Sequence, residues 1–377
     1  MSDTRAHIVI LGAGIVGSAC ADVFVSDGLR VTLIDRSFPG SGATAEGMGH
    51  IVAMDGSPEE LALSSYSREL WHSLSGSLSS SCEYRRFGTI WIAANDRHMS
   101  AVAAKHRVYD AIGIESHILD PAQLYRQEPN LRPGLAGGLL VPDDVVVYPP
   151  AVARELVDRA VARGAAAIFG VDVVRVDGPT VYLADRQEIT GDVIINALGI
   201  GAPRISPHVP VRPRRGHLVI TERVPAFVHH QLVELGYLDS AHGTSPVSVA
   251  FNVQPRATGQ LLIGSSREFD VENSTVDWEI LSRMVRLAVD YLPNARSLDA
   301  IRAWTGFRPA SADGLPYIGP DPYNENVWLA TGHEGLGITT ALGTAHLLLD
   351  QLRGRSTAIP AEPYWPARIL EESRGER

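Results

Sequence analysis

The 377 residues carry 33 Lys and Arg against 43 Asp and Glu, a net charge of −10, with 45% hydrophobic residues. An acidic balance with no basic stripe excludes nucleic acid as an expected partner, and the length predicts two domains, or one domain with a large insertion. No run of eighteen apolar residues predicts a membrane span.

The first element is Ile8-Val9-Ile10-Leu11, an apolar run read as a buried strand. It leads into Gly12, Gly14 and Gly17 at the spacing of a turn that opens a helix. Val31 to Ile34 then forms a second strand, ending at Asp35. Gly12 permits the tight turn, Gly14 lets a pyrophosphate approach bare backbone, and Gly17 lets the helix pack on the sheet. The helix N-terminus offers free N–H groups and a positive dipole end to phosphate. Asp35 stands where a carboxylate binds ribose hydroxyls. An acid there argues against a 2′-phosphate, although Arg36 follows it. Strand, turn, helix and acid together form the context in which this glycine pattern carries meaning: a cradle for an adenine dinucleotide, NAD or FAD.

A glycine-rich run from Gly40 to His50 follows, whose backbone N–H groups can face a ligand. Residues 58–76 read as a helix, with Leu61, Tyr66, Leu70, Trp71 and Leu74 at helical spacing. Residues 87–94 read as a strand, and 97–112 and 121–127 as helices. Pro149-Pro150 starts a helix over 151–163 that ends at Gly164. Strands are predicted near 166–176 and 180–184, and a buried one at 192–198. Residues 211–266 alternate apolar and polar, which predicts an antiparallel sheet with a turn at 255–259. A helix over 277–292 follows, then a strand at 327–330, a glycine turn at 332–337 and a helix from Ile338 to Leu352. An Arg/Glu-rich tail closes the chain.

The residues before the first strand lack the basic, apolar and small-residue order of an export signal, so a cytoplasmic location is expected. Cys20 and Cys82 are too few for a metal cluster or a disulfide framework, and reduced thiols and no metal are expected. Cys20 is placed on a buried helix face. Lys105, the one lysine, falls in a helix expected on the outside.

Three separated blocks agree with one another. They are the N-terminal cradle with Asp35; Ile194 to Gly199 with Gly201-Ala202-Pro203; and Gly306 to Gly319 continued by Thr331 to Ile338. Together they resemble the D-amino-acid oxidase superfamily of FAD-dependent amine oxidoreductases, especially glycine oxidase, over essentially the whole chain. Gly47-Met48-Gly49-His50 and Gly332 to Thr340 look most like the catalytic subunits of D-hydroxyproline dehydrogenase, with hydrogen cyanide synthase and opine oxidase subunits as close relatives.

The resemblance implies an α/β fold: a discontinuous Rossmann-like FAD-binding domain (1–80, 141–210 and 303–377) and an antiparallel-sheet substrate domain (81–140 and 211–302). It implies that Gly12, Gly14, Ile15 and Gly17 hold the pyrophosphate, with Asp35 and Arg36 at the adenosine. Ser41, Gly42, Glu46, Gly47 and Met48 would line the extended cofactor path, and Val173 would meet adenine through its backbone. Ala197 and Gly199 would close over the nucleotide. His333, Glu334, Gly335, Leu336, Gly337, Ile338 and Thr339 would wrap the isoalloxazine end, where a helix dipole favours the charge of reduced flavin. Arg308 matches the arginine that binds substrate carboxylate in glycine oxidase. Asn252 stands where that family has a tyrosine contacting the carboxylate. His50 is a further catalytic candidate beside the substrate amine or a ring hydroxyl.

No cysteine stands where sarcosine oxidases tether flavin, so FAD is expected to be non-covalent. Those oxidases also use a lysine for oxygen, and Lys105 in an outer helix favours a dehydrogenase instead. The implied reaction is hydride transfer from an amino acid of the D-proline or D-hydroxyproline type to flavin N5. A glycine, sarcosine or D-amino-acid oxidase making hydrogen peroxide, and a non-catalytic FAD subunit, stay open. So do electron-transfer partner subunits, a homo-oligomer, and a membrane quinone or respiratory acceptor.

Overall fold

A computed structural model describes residues 5–236, 247–269 and 271–370. The C-terminal Arg/Glu-rich tail, and part of the 211–266 span, lie outside the described residues. The chain divides into two compact units, one of residues 1–82, 148–213 and 307–377, the other of residues 83–147 and 214–306.

The first unit is built on a six-stranded sheet. Its order is Tyr317–Asp321, Asn324–Thr331, Val193–Asn196, His7–Leu11, Arg30–Asp35 and Ala166–Phe169. Every pairing is parallel except the edge hairpin of the first two. Parallel strands need crossover connections, and covered faces make them continuously apolar. His7–Leu11 is accordingly buried throughout. The helix Ile15–Ser26 packs between Pro149–Ala162 and Gly337–Leu352, and Pro58–Ser75 packs on the latter. Gly343 allows that last approach: a Cβ there would meet Leu63 Cδ1 at 3.0 Å. Cys20 is fully buried, which raises its thiol pKa to about 12.

The span predicted as a strand near 166–176 is two strands in different sheets. Ala166–Phe169 joins the parallel sheet, whereas Val173–Asp177 pairs antiparallel with Thr180–Leu183 in a three-stranded sheet. Gly170, at a φ of +79°, makes the break.

The second unit holds an eight-stranded sheet in the order Ala300–Ala310, Arg212–Arg223, Gln260–Glu268, Val247–Pro255, Gln231–Glu234, Thr89–Ala93, Gly137–Val141, His117–Leu119. Two of these strands, Arg212–Arg223 and Ala300–Ala310, carry the chain across the unit boundary. The sheet departs from the antiparallel expectation where Gln231–Glu234 lies beside Thr89–Ala93, a pairing that is parallel. A parallel pair needs a long connection, and the chain between Ala93 and Gln231 supplies one. The helix Trp278–Tyr291 covers Val247–Pro255 and Gln260–Glu268 through Leu281, Met284 and Ala288.

That helix is anchored by buried polar groups. Arg215 donates through Nε and Nη2 to the two oxygens of Glu268, at 3.0 and 2.9 Å, and through Nη1 to the Asn273 and Thr275 carbonyls. His217 Nε2 accepts from the Asp277 N–H at 2.9 Å, which assigns the ring proton to Nδ1, beside Ser266 Oγ. Asp277 in turn caps the helix, accepting from the Glu279 and Ile280 N–H groups.

Lys105 is not on the outside. Its helix, Asp96–Ala111, turns it inward, where it is 5% exposed and its ammonium lies 4.2 Å from the Trp91 ring centre and 5.0 Å from that of Tyr109. The aliphatic stem buries against the sheet while the ring faces attract the charge.

Candidate active site

The glycine turn is closed by backbone contacts that no side chain fits. A Cβ on Gly12, at a φ of +103°, would stand 2.5 Å from the Ala197 carbonyl oxygen. One on Gly17 would stand 1.8 Å from the Gly12 oxygen. Gly14 differs, since the one atom close to its Cβ position is Thr44 Oγ1, at 3.3 Å. Gly12 and Gly17 are thus required for packing, while Gly14 leaves bare backbone at the start of the Ile15–Ser26 helix. No side chain caps that helix at Gly14, and the Thr44 hydroxyl accepts from the Ile15 N–H at 2.9 Å. Thr44 takes the Ile15 N–H, but no side chain at Gly14 itself caps the turn, and this helix start beside bare backbone is the cradle a pyrophosphate needs, so the residues present fit a dinucleotide.

Asp35 accepts from the Ala13 N–H through Oδ2 and the Ser37 N–H through Oδ1, both at 2.7 Å. These bonds hold the carboxylate over the turn, and each oxygen keeps a second lone pair for a hydroxyl. Arg36 is exposed beside it. Ala197 packs on Gly12, and Gly199 accepts from Thr331 Oγ1 at 3.1 Å, tying this segment to the strand that leads into the distal turn. Val173 is buried, and its carbonyl accepts from Arg204 Nη2 at 3.0 Å.

A second cluster gathers around the N-terminus of Gly337–Leu352. Thr339 Oγ1 donates to the His50 carbonyl at 2.9 Å and accepts from the Val52 N–H at 3.3 Å. Trp71 Nε1 donates to the Thr339 carbonyl at 2.9 Å and to that of Ile338 at 3.2 Å. Gly47 leaves room for Ile338, whose Cδ1 would meet a Cβ there at 3.3 Å. The carboxyl group of Glu46 accepts from the Phe307 backbone, and burial pushes its pKa above the usual carboxylate range. The short helix Ala43–Glu46, the strand His50–Ile51 and the start of the long helix therefore meet beside Phe307, the neighbour of Arg308. Met48 is buried within this path, whereas Ser41 is half-buried and Gly42 exposed.

Arg308 is half-buried against the distal turn. A Cβ on Gly335 would meet its Nε at 3.6 Å, and Glu334 Oε1 lies 3.9 Å from that Nε. Leu336 N–H closes the turn on the His333 carbonyl. His333 points inward, its Nε2 3.0 Å from Thr344 Oγ1, and burial lowers its pKa to about 3. Its imidazole is therefore held neutral and bonded within the protein.

Asn252 belongs to the second unit, in Val247–Pro255, opposite Val233 and Gly264. Its side chain is buried, and Oδ1 has no hydrogen-bond partner among the described residues. Sequence reasoning missed Thr44 and Trp71 as site-building residues. A buried indole needs a partner for its N–H, and that was the available signal for Trp71.

Residues 7–351 match the family model described as FAD dependent oxidoreductase. The chain is similar to glycine oxidase of Pseudomonas aeruginosa, at 28% identity over 96% of this chain and 98% of that one. It is similar also to D-amino acid dehydrogenase of Xanthobacter autotrophicus, at 25% identity over 97% and 99%. It shares its fold with glycine oxidase from Geobacillus kaustophilus, with a TM-score of 0.86 at 22% identity over 97% and 99%. L-proline dehydrogenase from P. horikoshii matches with a TM-score of 0.86 at 19% identity over 98% of each chain. With its glycine cradle, its Asp35 tip and a family match spanning nearly its whole length, the chain belongs to the FAD dependent oxidoreductases.

Proposed function

We propose that this protein dehydrogenates an amino acid at its CH–NH bond, giving an imine, with a cyclic secondary amine of the D-proline or D-hydroxyproline type as substrate and FAD held non-covalently. The observation that carries the reading is Arg308, a half-buried guanidinium set against the glycine turn that opens the Gly337–Leu352 helix. A guanidinium pairs bidentately with a carboxylate and fixes the plane of the attached carbon. Bound FAD supplies the hydride acceptor. Arg308 holds the carboxylate so that the α C–H bond is presented in one orientation, and placement supplies much of the rate. A neutral amine needs no strong side-chain base, which agrees with the neutral His333. His50 and Asn252 are the proposed further contacts to the amine or ring hydroxyl and to the carboxylate. Gly12, Gly14, Ile15 and Gly17 hold the pyrophosphate, and Thr339 with its neighbours the flavin ring.

The similarity to glycine oxidase favours a second reading, an oxidase of glycine, sarcosine or a D-amino acid that reduces oxygen to hydrogen peroxide. Anaerobic flavin bleaching by glycine, sarcosine and both enantiomers of proline and 4-hydroxyproline tests the substrate. D-proline or D-hydroxyproline is expected to bleach fastest, and faster bleaching by glycine overturns the cyclic substrate. Turnover in air without a dye would mark an oxidase. Arg308→Ala is expected to keep FAD and raise the amino-acid Kd at least a hundredfold; an unchanged Kd removes the carboxylate role.

A further inference from the structure

Glu334 is one of four non-glycine residues with a left-handed backbone among the described residues, at a φ of +47°. It stands in a turn already rich in glycine, with Gly332, Gly335 and Gly337 on either side. A glycine would take that conformation without strain, so a glutamate there points to a task for the side chain. The side chain folds back onto its own turn, where Oε2 accepts from the Gly335 N–H. Oε1 is thereby turned toward Arg308 Nε, 3.9 Å away, with each side chain about four-fifths buried. That separation exceeds a hydrogen bond, so the two groups are coupled through charge.

We propose that Glu334 is a positioning residue for substrate selection. Its carboxylate holds the Arg308 guanidinium in place and biases that site toward ligands carrying an ammonium beside their carboxylate, against plain carboxylates. The inference rests on Arg308 as the carboxylate anchor. A plain carboxylate brings a second negative charge next to Glu334 and is repelled. A zwitterionic amino acid brings its own positive charge, which offsets that repulsion. The amine that reacts is neutral, so the selection acts at capture, before the bound ammonium passes its proton to solvent water.

The test uses the FAD-loaded protein under anaerobic conditions and reads binding from perturbation of the flavin spectrum. The probes are tetrahydrofuran-2-carboxylate, a ring carboxylate without an amine, and L-proline and D-proline, whichever binds without bleaching. Glu334→Gln keeps the shape and removes the charge, and Glu334→Gly also releases the left-handed strain and guards against misfolding. The ratio of Kd for tetrahydrofuran-2-carboxylate to Kd for the proline enantiomer is expected to fall about tenfold in both variants. Glu334→Asp is expected to restore part of the parent ratio. A ratio unchanged in both variants, while Arg308→Ala weakens both ligands, overturns the role of Glu334 and leaves that of Arg308 standing. If Arg308→Ala leaves both ligands unaffected, both assignments fail.

Discussion

His333 Nε2 lies 3.0 Å from Thr344 Oγ1, so one buried ring joins the distal glycine turn to the helix that follows it. Burial holds the folded pKa near 3, well below the 6.5 of a free imidazole. The neutral form is present in both states above about pH 6.5, and the unfolded chain takes up a proton first as pH falls. Stability is therefore complete above that pH and is lost as pH drops toward 3, by at most about 1.4 kcal/mol per pH unit. His333→Gln is expected to remove one proton's share of this slope. Urea unfolding of parent and variant at pH 5, 6 and 7.5 measures it, and identical slopes would refute the assignment.

Gly17→Ala places a methyl group 1.8 Å from the Gly12 oxygen, a contact that only backbone movement relieves. We expect a loss of about 3 kcal/mol or more by the standards of overpacked cores, together with a protein isolated largely without flavin. The absorbance ratio at 280 and 450 nm reports the flavin content, with parental flavin loading as the contrary result.

Trp71 donates to two carbonyls at the N-terminal end of the Gly337–Leu352 helix. Trp71→Phe keeps most of the packing and removes the donor, and is expected to cost about 1–3 kcal/mol. Because Thr339 is tied to the same turn, FAD affinity is expected to fall with stability. Apoprotein titration with FAD checks this, and a stable variant with parental affinity would show that the indole N–H is dispensable.

Glu268→Gln leaves the buried Arg215 guanidinium without its counter-charge and is expected to cost about 3–5 kcal/mol. Replacing both with methionine is expected to recover much of that loss, because the desolvation of two charges disappears with them. A double variant no more stable than Glu268→Gln would contradict this account, as measured by chemical denaturation.

The helices that carry a clear apolar stripe, and the strands flanked by glycine, were legible from residue spacing alone. The cradle was the clearest case, since Gly12 and Gly17 are fixed by backbone contacts that any sequence with this turn must satisfy. The predicted edges of Thr89–Ala93 and of Asp96–Ala111 lay within two residues of those observed. Lys105 was misplaced because helical spacing cannot show that two aromatic rings wait beneath a charged tip. Ala300–Ala310 was missed because its exposed first half alternates poorly, and its order comes from a neighbour far away in sequence. The proximity of Glu334 and Arg308 was equally hidden, since it depends on a backbone angle and on two segments meeting in space.

The order of synthesis gives the threading of the chain a further meaning. All of the second unit has been made by residue 306, while the first unit still lacks the Tyr317–Asp321 and Asn324–Thr331 strands and the Gly337–Leu352 helix. The glycine cradle is thus among the first segments translated, yet its sheet edge and covering helix are among the last. A nascent chain holds an unfinished nucleotide site through most of its translation, and a chain stopped before residue 337 leaves the Ile15–Ser26 and Pro58–Ser75 helices without the Gly337–Leu352 helix to pack on.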